Sequence, residues 1–335
     1  MDIKTILVAL AAIIPFALSL ILLIWWKAKT KVRTGVFIIG SICFIVFALG
    51  VEQLAHNYFL LGNNAVSNFI NGHVVSYALY AALAAGVFEE IARLVAYKFL
   101  LRKYKDPAIS VAYGIGHGGI EMMILLGFTY AIYFLFMQGV SFGSEEINAQ
   151  LFATVMSIPN SMIAVAIVER LIALVAQIGL SILVFTAYSR RDYKWFFIAI
   201  GFHAILDIPA AFYQTGSLSI VFVEIWCAVI AAVIMYIAVK LYKQLRPAYL
   251  AEKEAKQFIA FCGKDCEGCD SFKDLSCTGC RMPGAKSDFC ENYCEMRRCG
   301  FDKHIETCED CPDKKRCPAF AQAQENLKKL AEEVN

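Results

Sequence analysis

Residues 73–101 read HVVSYALYAALAAGVFEEIARLVAYKFLL, an apolar run broken near its middle by Glu89, Glu90 and Arg93. A helix rises about 1.5 Å per residue, so about 20 apolar residues cross the roughly 30 Å hydrocarbon core of a bilayer. This stretch is long enough to span, and it carries charges where a span should have none. The same contradiction recurs at His117 and Glu121, at Glu169 and Arg170, and at His203 and Asp207. On insertion scales an Asp, Lys or Arg at a helix centre costs about 3 kcal/mol, so exposing the whole set to lipid would cost on the order of 20 kcal/mol. These side chains must therefore face one another or water, in a polar cavity walled by several helices. An ionisable residue so placed marks a functional site by default.

The rest of the chain fits this reading. Of its 335 residues 59% are hydrophobic, and the mean hydropathy is +0.57. The net charge of +2 offers no basic surplus for a nucleic acid. Runs long enough to span lie near 5–26, 34–57, 73–101, 107–138, 160–188, 195–213 and 217–243. The expected fold class is all-α: a polytopic bundle of about seven spans, eight at most, followed by a small Cys-rich metal-binding module. Residues 139–159 are too long for a plain turn and are expected to lie in the outer interface or to re-enter.

Basic residues orient the spans. Lys27, Lys29, Lys31 and Arg33 follow the first, Arg102, Lys103 and Lys105 the third, Arg190, Arg191 and Lys194 the fifth, and Lys240, Lys243 and Arg246 the seventh. The alternate loops carry none. By the positive-inside rule the amino terminus is outside and the carboxyl terminus cytoplasmic, in an integral protein of the cell membrane. The first run lacks a small-residue cleavage site and meets a basic stop, so it reads as a retained helix. The expected domains are 1–246 in the membrane, with its core motifs in 70–215, a Cys-rich module over 258–318, and a polar helical tail over 319–335. A charged linker is expected at 247–257.

Residues four apart share a helix face, and the polar residues use that spacing: Glu89 with Arg93, His117 with Glu121, His203 with Asp207. Counted from the cytoplasmic ends, Glu89, His117 and His203 all lie roughly 12–18 Å deep. A carboxylate and two imidazoles at one level can activate water and stabilise an oxyanion, the equipment of hydrolysis.

The runs Glu89-Glu90-Ile91-Ala92-Arg93, Tyr113-Gly114-Ile115-Gly116-His117 and His203-Ala204-Ile205-Leu206-Asp207 resemble the three signature motifs of the CAAX-protease and bacteriocin-processing group of intramembrane proteases. The wording Gly116-His117-Gly118-Gly119-Ile120-Glu121 is closer to its YhfC-like branch, described as glutamic-type. The resemblance implies an intramembrane endopeptidase acting on membrane-embedded or lipid-anchored polypeptides. By the same resemblance Glu89 would be the base on water, His117 would position that water, and His203 with Asp207 would form the oxyanion-stabilising side. Glu90, Arg93, Glu121, Glu169 and Arg170 would be supporting. Here Arg93 follows the double Glu after two residues, where the group has three. Asp207 stands where eukaryotic relatives have Asn, so it serves either as a neutral hydrogen-bonding group or as a carboxylate that orients His203.

Two other functions suit the same residues. Two His and one or two Glu could hold zinc with an open water position, although no His-Glu-x-x-His pattern is present and the ligands would have to meet in three dimensions. Buried carboxylates with His also suit proton-coupled transport or sensing. A protease relative that binds peptides without cutting them is a further possibility. Glu169 and Arg170 are expected to neutralise each other or to pair with Glu90, and Glu224 to be interfacial.

Eleven of the 13 cysteines fall in the tail: Cys262, Cys266, Cys269, Cys277, Cys280, Cys290, Cys294, Cys299, Cys308, Cys311 and Cys317. In a cytoplasmic segment disulfides are disfavoured and metal thiolates preferred. With His304 they make twelve donors, comfortably enough for two tetrahedral zinc ions and for three at most. The opening spacing also suits an iron–sulfur cluster, and the run resembles a small zinc-binding domain of unknown function. Bound metal would supply folding free energy that so few apolar residues cannot. A cytoplasmic protein partner of this module is expected. Cys43 and Cys227 read as apolar packing.

Overall fold

The computed structural model describes residues 2–255, 259–263, 265–266, 270–281, 284, 286, 288–303, 305 and 307–333, side chains at 255, 271, 289 and 326–333 excepted. Seven helices among these are long and apolar enough to cross a membrane: α1 Ile3–Thr30, α2 Thr34–Phe59, then, after a short α3 Ala65–Gly72, α4 Val74–Leu100, α5 Ala108–Met137, and, after α6 Glu145–Ser157, α7 Asn160–Arg190, α8 Lys194–Gln214 and α9 Ile220–Ala255. The described residues form no strand beyond one isolated bridge, Ile259 with Asp265. Two compact units result, Met1–Arg246 and Pro247–Asn335.

In the first unit α7 is the central helix, with 67% of its apolar window buried against 17% for that of α9. α4 packs chiefly on α8, α5 lies between α2 and α7, and α1 runs along α5 and α7. The glycines of α5 explain its position. A side chain at Gly116 would strike the Phe37 backbone of α2, one at Gly114 would meet Ile178 of α7, and one at Gly119 would meet Ser19 of α1. Ser41 Oγ donates to the Gly116 carbonyl at 2.8 Å across the α2–α5 contact. Small residues let helices close in lipid, where burial of apolar surface provides no drive for association.

Three spans contain π-helical turns: Phe47–Val51 in α2, Ala96–Leu100 in α4 and Met123–Gly127 in α5. Such turns recur at functional sites. Each lies within a few residues of a buried charge, Glu52, Arg93 and Glu121 respectively.

Residues 139–159 contain α6, whose 13 residues rise only about 20 Å and cannot span. Lys4 Nζ donates to the Val155 and Met156 carbonyls at 3.0 and 2.7 Å, satisfying acceptors that the helix end leaves open. The expected linker at 247–257 is corrected over its described part. α9 continues to Ala255 with Pro247 inside it, because the following Ala, Leu, Glu and Lys residues are strong helix formers.

In the second unit Phe261, Phe320, Ala260 and the thiols of Cys266, Cys280 and Cys308 make a small core. Its helices are α10 Asp270–Lys273, α11 Glu295–Asp302 and α12 Pro318–Glu333. The Cys308 amide donates to the Phe261 carbonyl at 2.8 Å. Cys269 and His304 lie outside the described residues.

Candidate functional site

α4 brings Glu89 and Glu90 into the bundle on adjacent faces, and each has a different nearest partner, although Arg93 Nη2 also lies 3.6 Å from Glu89. Glu89 Oε2 lies 2.8 Å from His117 Nε2 and accepts from Gln177 Nε2 at 3.0 Å. Glu90 Oε1 accepts from Arg93 Nη1 at 2.7 Å and lies 2.7 Å from His203 Nδ1. Glu90, Arg93 and His117 are 0% exposed. Water therefore cannot replace any of these contacts.

Glu121, one helical turn beyond His117, completes a convergence. One donor atom from each of Glu89, His117 and Glu121 lies within 4.8 Å of the others, all three residues buried. Gln177 ties the group together. Its Nε2 also donates to Glu121 Oε2 at 2.7 Å, while its Oε1 accepts from Arg93 Nη2. Arg93 therefore decides which way the amide points, and the amide holds two carboxylates at once.

The sequence reading passed over Gln177, although its signal was present: an amide seven residues after Arg170, hence on the same face of an otherwise apolar helix. It also passed over Glu52, buried in α2 and within Coulombic range of Glu89, His203 and Asp207. His56 Nε2 lies 3.3 Å from Glu52, and His56 Nδ1 lies 3.1 Å from the Tyr80 hydroxyl. The i, i+4 pair Glu52 and His56 was the legible clue.

His203 stands at the edge of the group. Its Nε2 is 3.8 Å from Glu89 and 3.5 Å from Asp207, whose side chain is half-buried. Arg170 donates to Glu121 at 2.9 Å and pairs with Glu169. The expected alternative, pairing of this couple with Glu90, is not what forms, because Arg93 and His203 already occupy Glu90 from the same and the facing helix. Glu224 was expected at the interface. Both its carboxylate oxygens are buried and find no partner among the described residues.

Charge sets a condition on this site. Glu52, Glu89, Glu90, Glu121, Glu169 and Asp207 stand against Arg93 and Arg170 alone, a surplus of four negative charges when the carboxyls are ionised and the imidazoles neutral. A low-dielectric interior cannot hold such a surplus without protons or a bound cation. The donor set of two carboxylates and one imidazole suits a divalent metal, and the Nδ1 of His117, buried without a partner among the described residues, is a further unsatisfied polar atom at the same place. The residues present fit a metal.

In the tail, burial pushes the Cys280 thiol up to about 12 and the Cys308 thiol up to about 11. Without metal these thiols carry their protons at neutral pH, and binding would release them.

The sequence profile described as YhfC intramembrane metalloprotease matches residues 11–229, which include Glu89, Glu90, Arg93, His117, Glu121, Gln177, His203 and Asp207. The chain is also similar to a protein of Bacillus subtilis (strain 168) described as "Uncharacterized membrane protein YhfC", 31% identical over 243 residues that cover 69% of this chain and 94% of that protein. No solved structure matches the chain.

Proposed function

Because the chain belongs to the YhfC intramembrane metalloprotease family, we propose that it is an intramembrane endopeptidase whose site works with a divalent metal, most simply zinc, held by Glu89, His117 and Glu121. The observation that carries this reading is the convergence of those three donors within 4.8 Å in a buried, negatively charged pocket. The metal form of the site, which the sequence reading held as the alternative, is thus preferred to the glutamic form. Kinship with the wider CAAX-protease group is part of the proposal and rests on the three motifs.

Such an ion supplies Lewis-acid polarisation of the scissile carbonyl and makes a water reactive near neutral pH. The remaining work falls to the chain. Gln177 fixes the separation of the Glu89 and Glu121 carboxylates, and the Arg93 guanidinium fixes Gln177. With its Nδ1 proton committed to Glu90, His203 exchanges protons at Nε2. Neutral, it takes one from the attacking water; protonated, it donates to the carbonyl oxygen or to the leaving nitrogen. Asp207, 3.5 Å from His203 Nε2, steadies that ring nitrogen. The substrates are membrane-embedded or lipid-anchored polypeptides whose scissile bond reaches the level of His117.

One observation favours a second reading, with Glu89 as a free base and no ion: the direct 2.8 Å contact between Glu89 and His117. Chelation separates the two. Under the metal reading the purified protein loses at least about 100-fold in cleavage of a reporter polypeptide when stripped, and recovers with zinc. Glu121→Gln should then raise the zinc concentration needed for half-recovery by at least about 10–100-fold, the loss typical even for groups that only support a ligand. Full activity after exhaustive stripping would overturn the metal reading in favour of the glutamic one.

The orientation follows from the basic residues. The amino terminus lies outside the cell membrane, and the Cys-rich tail is a cytoplasmic zinc module that regulates the protease or binds a protein partner. A membrane-impermeant thiol reagent should leave the tail cysteines untouched in intact cells and label them after lysis and chelation. Labelling of intact cells would reverse the topology.

A further inference from the structure

Four of the tail cysteines, Cys299, Cys308, Cys311 and Cys317, line a single cavity of about 220 Å³. They come from four places in the sequence: α11, the turn at Cys308–Asp310, the residue just after it, and the residue before α12. The thiols within Coulombic range of Cys308 are Cys317, Cys311, Cys299 and Cys262. Those around Cys280 are a different set, Cys290, Cys294 and Cys266. No cysteine belongs to both.

The second set is drawn together by backbone contacts. The Cys280 amide donates to Cys266 Sγ at 3.5 Å. Arg297 donates from Nε to the Cys280 carbonyl at 3.1 Å and from Nη1 to the Cys290 carbonyl at 3.3 Å. One guanidinium thus ties two separate Cys-bearing segments beside each other, a placement that a short segment with few apolar residues would not otherwise secure.

We propose that the tail holds two separate tetrathiolate zinc sites, one formed by Cys299, Cys308, Cys311 and Cys317 and the other by Cys266, Cys280, Cys290 and Cys294. This rests on the tail being a zinc module, as proposed above, and adds the number of ions and their ligands. A zinc ion takes four sulfurs at about 2.3 Å in a tetrahedron. Among the described residues, only the membrane group already has three donors within 4.8 Å, so each thiol set has to contract on its ion. The staggered χ1 wells of cysteine supply that movement. Contraction pulls together segments far apart in sequence, so each ion would order its own half of the module. Cys262, near Cys308 but not lining the cavity, and Cys277 are assigned to neither ion.

The test uses the full-length protein and a mercurial that titrates thiolates, with released zinc followed by an indicator dye. Zinc held by carboxylate and imidazole in the membrane is not displaced by this reagent. Two equivalents of zinc per chain are expected from wild type. One is expected from the pair Cys308→Ser with Cys317→Ser, one from the pair Cys280→Ser with Cys294→Ser, and none when the pairs are combined. A single equivalent in wild type, abolished by either pair, would overturn the division into two sites while leaving the zinc module standing. No thiolate-bound metal in wild type would sink both. Iron with acid-labile sulfide would replace zinc with a cluster and overturn the proposal. Because a double substitution could unfold the module, wild type exchanged with ¹¹³Cd provides a second measurement. Two resonances in the all-sulfur region support the proposal, whatever the Glu89, His117 and Glu121 site adds at nitrogen- and oxygen-ligand shifts, and one or none in the all-sulfur region contradicts it.

Discussion

Replacing His117 with Ala, or Glu89 with Gln, is expected to reduce cleavage by at least about 100-fold while the protein still inserts, because each removes a ligand of the ion that would activate water, and even groups that only support a ligand are typically worth about 10–100-fold. The reason is enclosure. His117 is 0% exposed, with Phe44 edge-on to its ring at 5.2 Å. Alanine there leaves a dry gap rather than a site that water can repair. The two residues act as a unit, so the double variant should be no slower than either single one. The reading also specifies what accompanies the loss: zinc outside the thiolate sites disappears from His117→Ala. Product formation from a reporter polypeptide, with metal content measured on the same sample, checks both points. A variant that cleaves at the wild-type rate would remove its residue from the mechanism, and an inactive His117→Ala that keeps its non-thiolate zinc would remove His117 from the ligand set.

Arg93→Leu is expected to damage the fold rather than the chemistry. The guanidinium is 0% exposed and bonds to Glu90 at 2.7 Å, to Ser181 at 3.2 Å and to the Gln177 side chain. Removing one member of a buried ion pair typically costs about 3–5 kcal/mol, because the other charge stays behind without compensation. Adding Glu90→Gln to Arg93→Leu removes that charge and should recover part of the loss, with a coupling of about 0.5–3 kcal/mol. Thermal unfolding in detergent reads these differences. If Arg93→Leu melts with wild type, Glu90 has another counter-charge and the pair is not structural. Glu89→Gln is a contrast, since it keeps an acceptor for Gln177 and should melt close to wild type.

The spans were legible because crossing a bilayer is a one-dimensional requirement: about 20 apolar residues with every backbone group bonded within the helix. The level of Glu89, His117 and His203 was legible for the same reason, since depth is a count of residues multiplied by a fixed rise. The spacing in α5 that places His117 and Glu121 on one face was legible too. The linker expected at 247–257 was misread, because α9 accommodates Pro247 and runs on to Ala255.

Azimuth was not legible. Which way each polar face turns about its helix axis depends on the close contacts at Gly114, Gly116 and Gly119 and on the π turns in α2, α4 and α5, each of which shifts the helical phase by a fraction of a turn. These features decide that Glu89 faces His117 while its neighbour Glu90 faces Arg93 and His203, that Gln177 bridges two carboxylates, and that Glu121 joins the donor group instead of merely pairing with Arg170. From sequence alone Glu89 and Glu90 are two adjacent carboxylates of the same chemistry. By itself the sequence determined that a charged cavity must exist at one depth in a seven-span bundle, because lipid cannot hold those side chains. Only the tertiary structure decided which carboxylates converge as donors and which is spent in a buried ion pair, because helix rotation and side-chain packing are three-dimensional properties that periodicity does not encode.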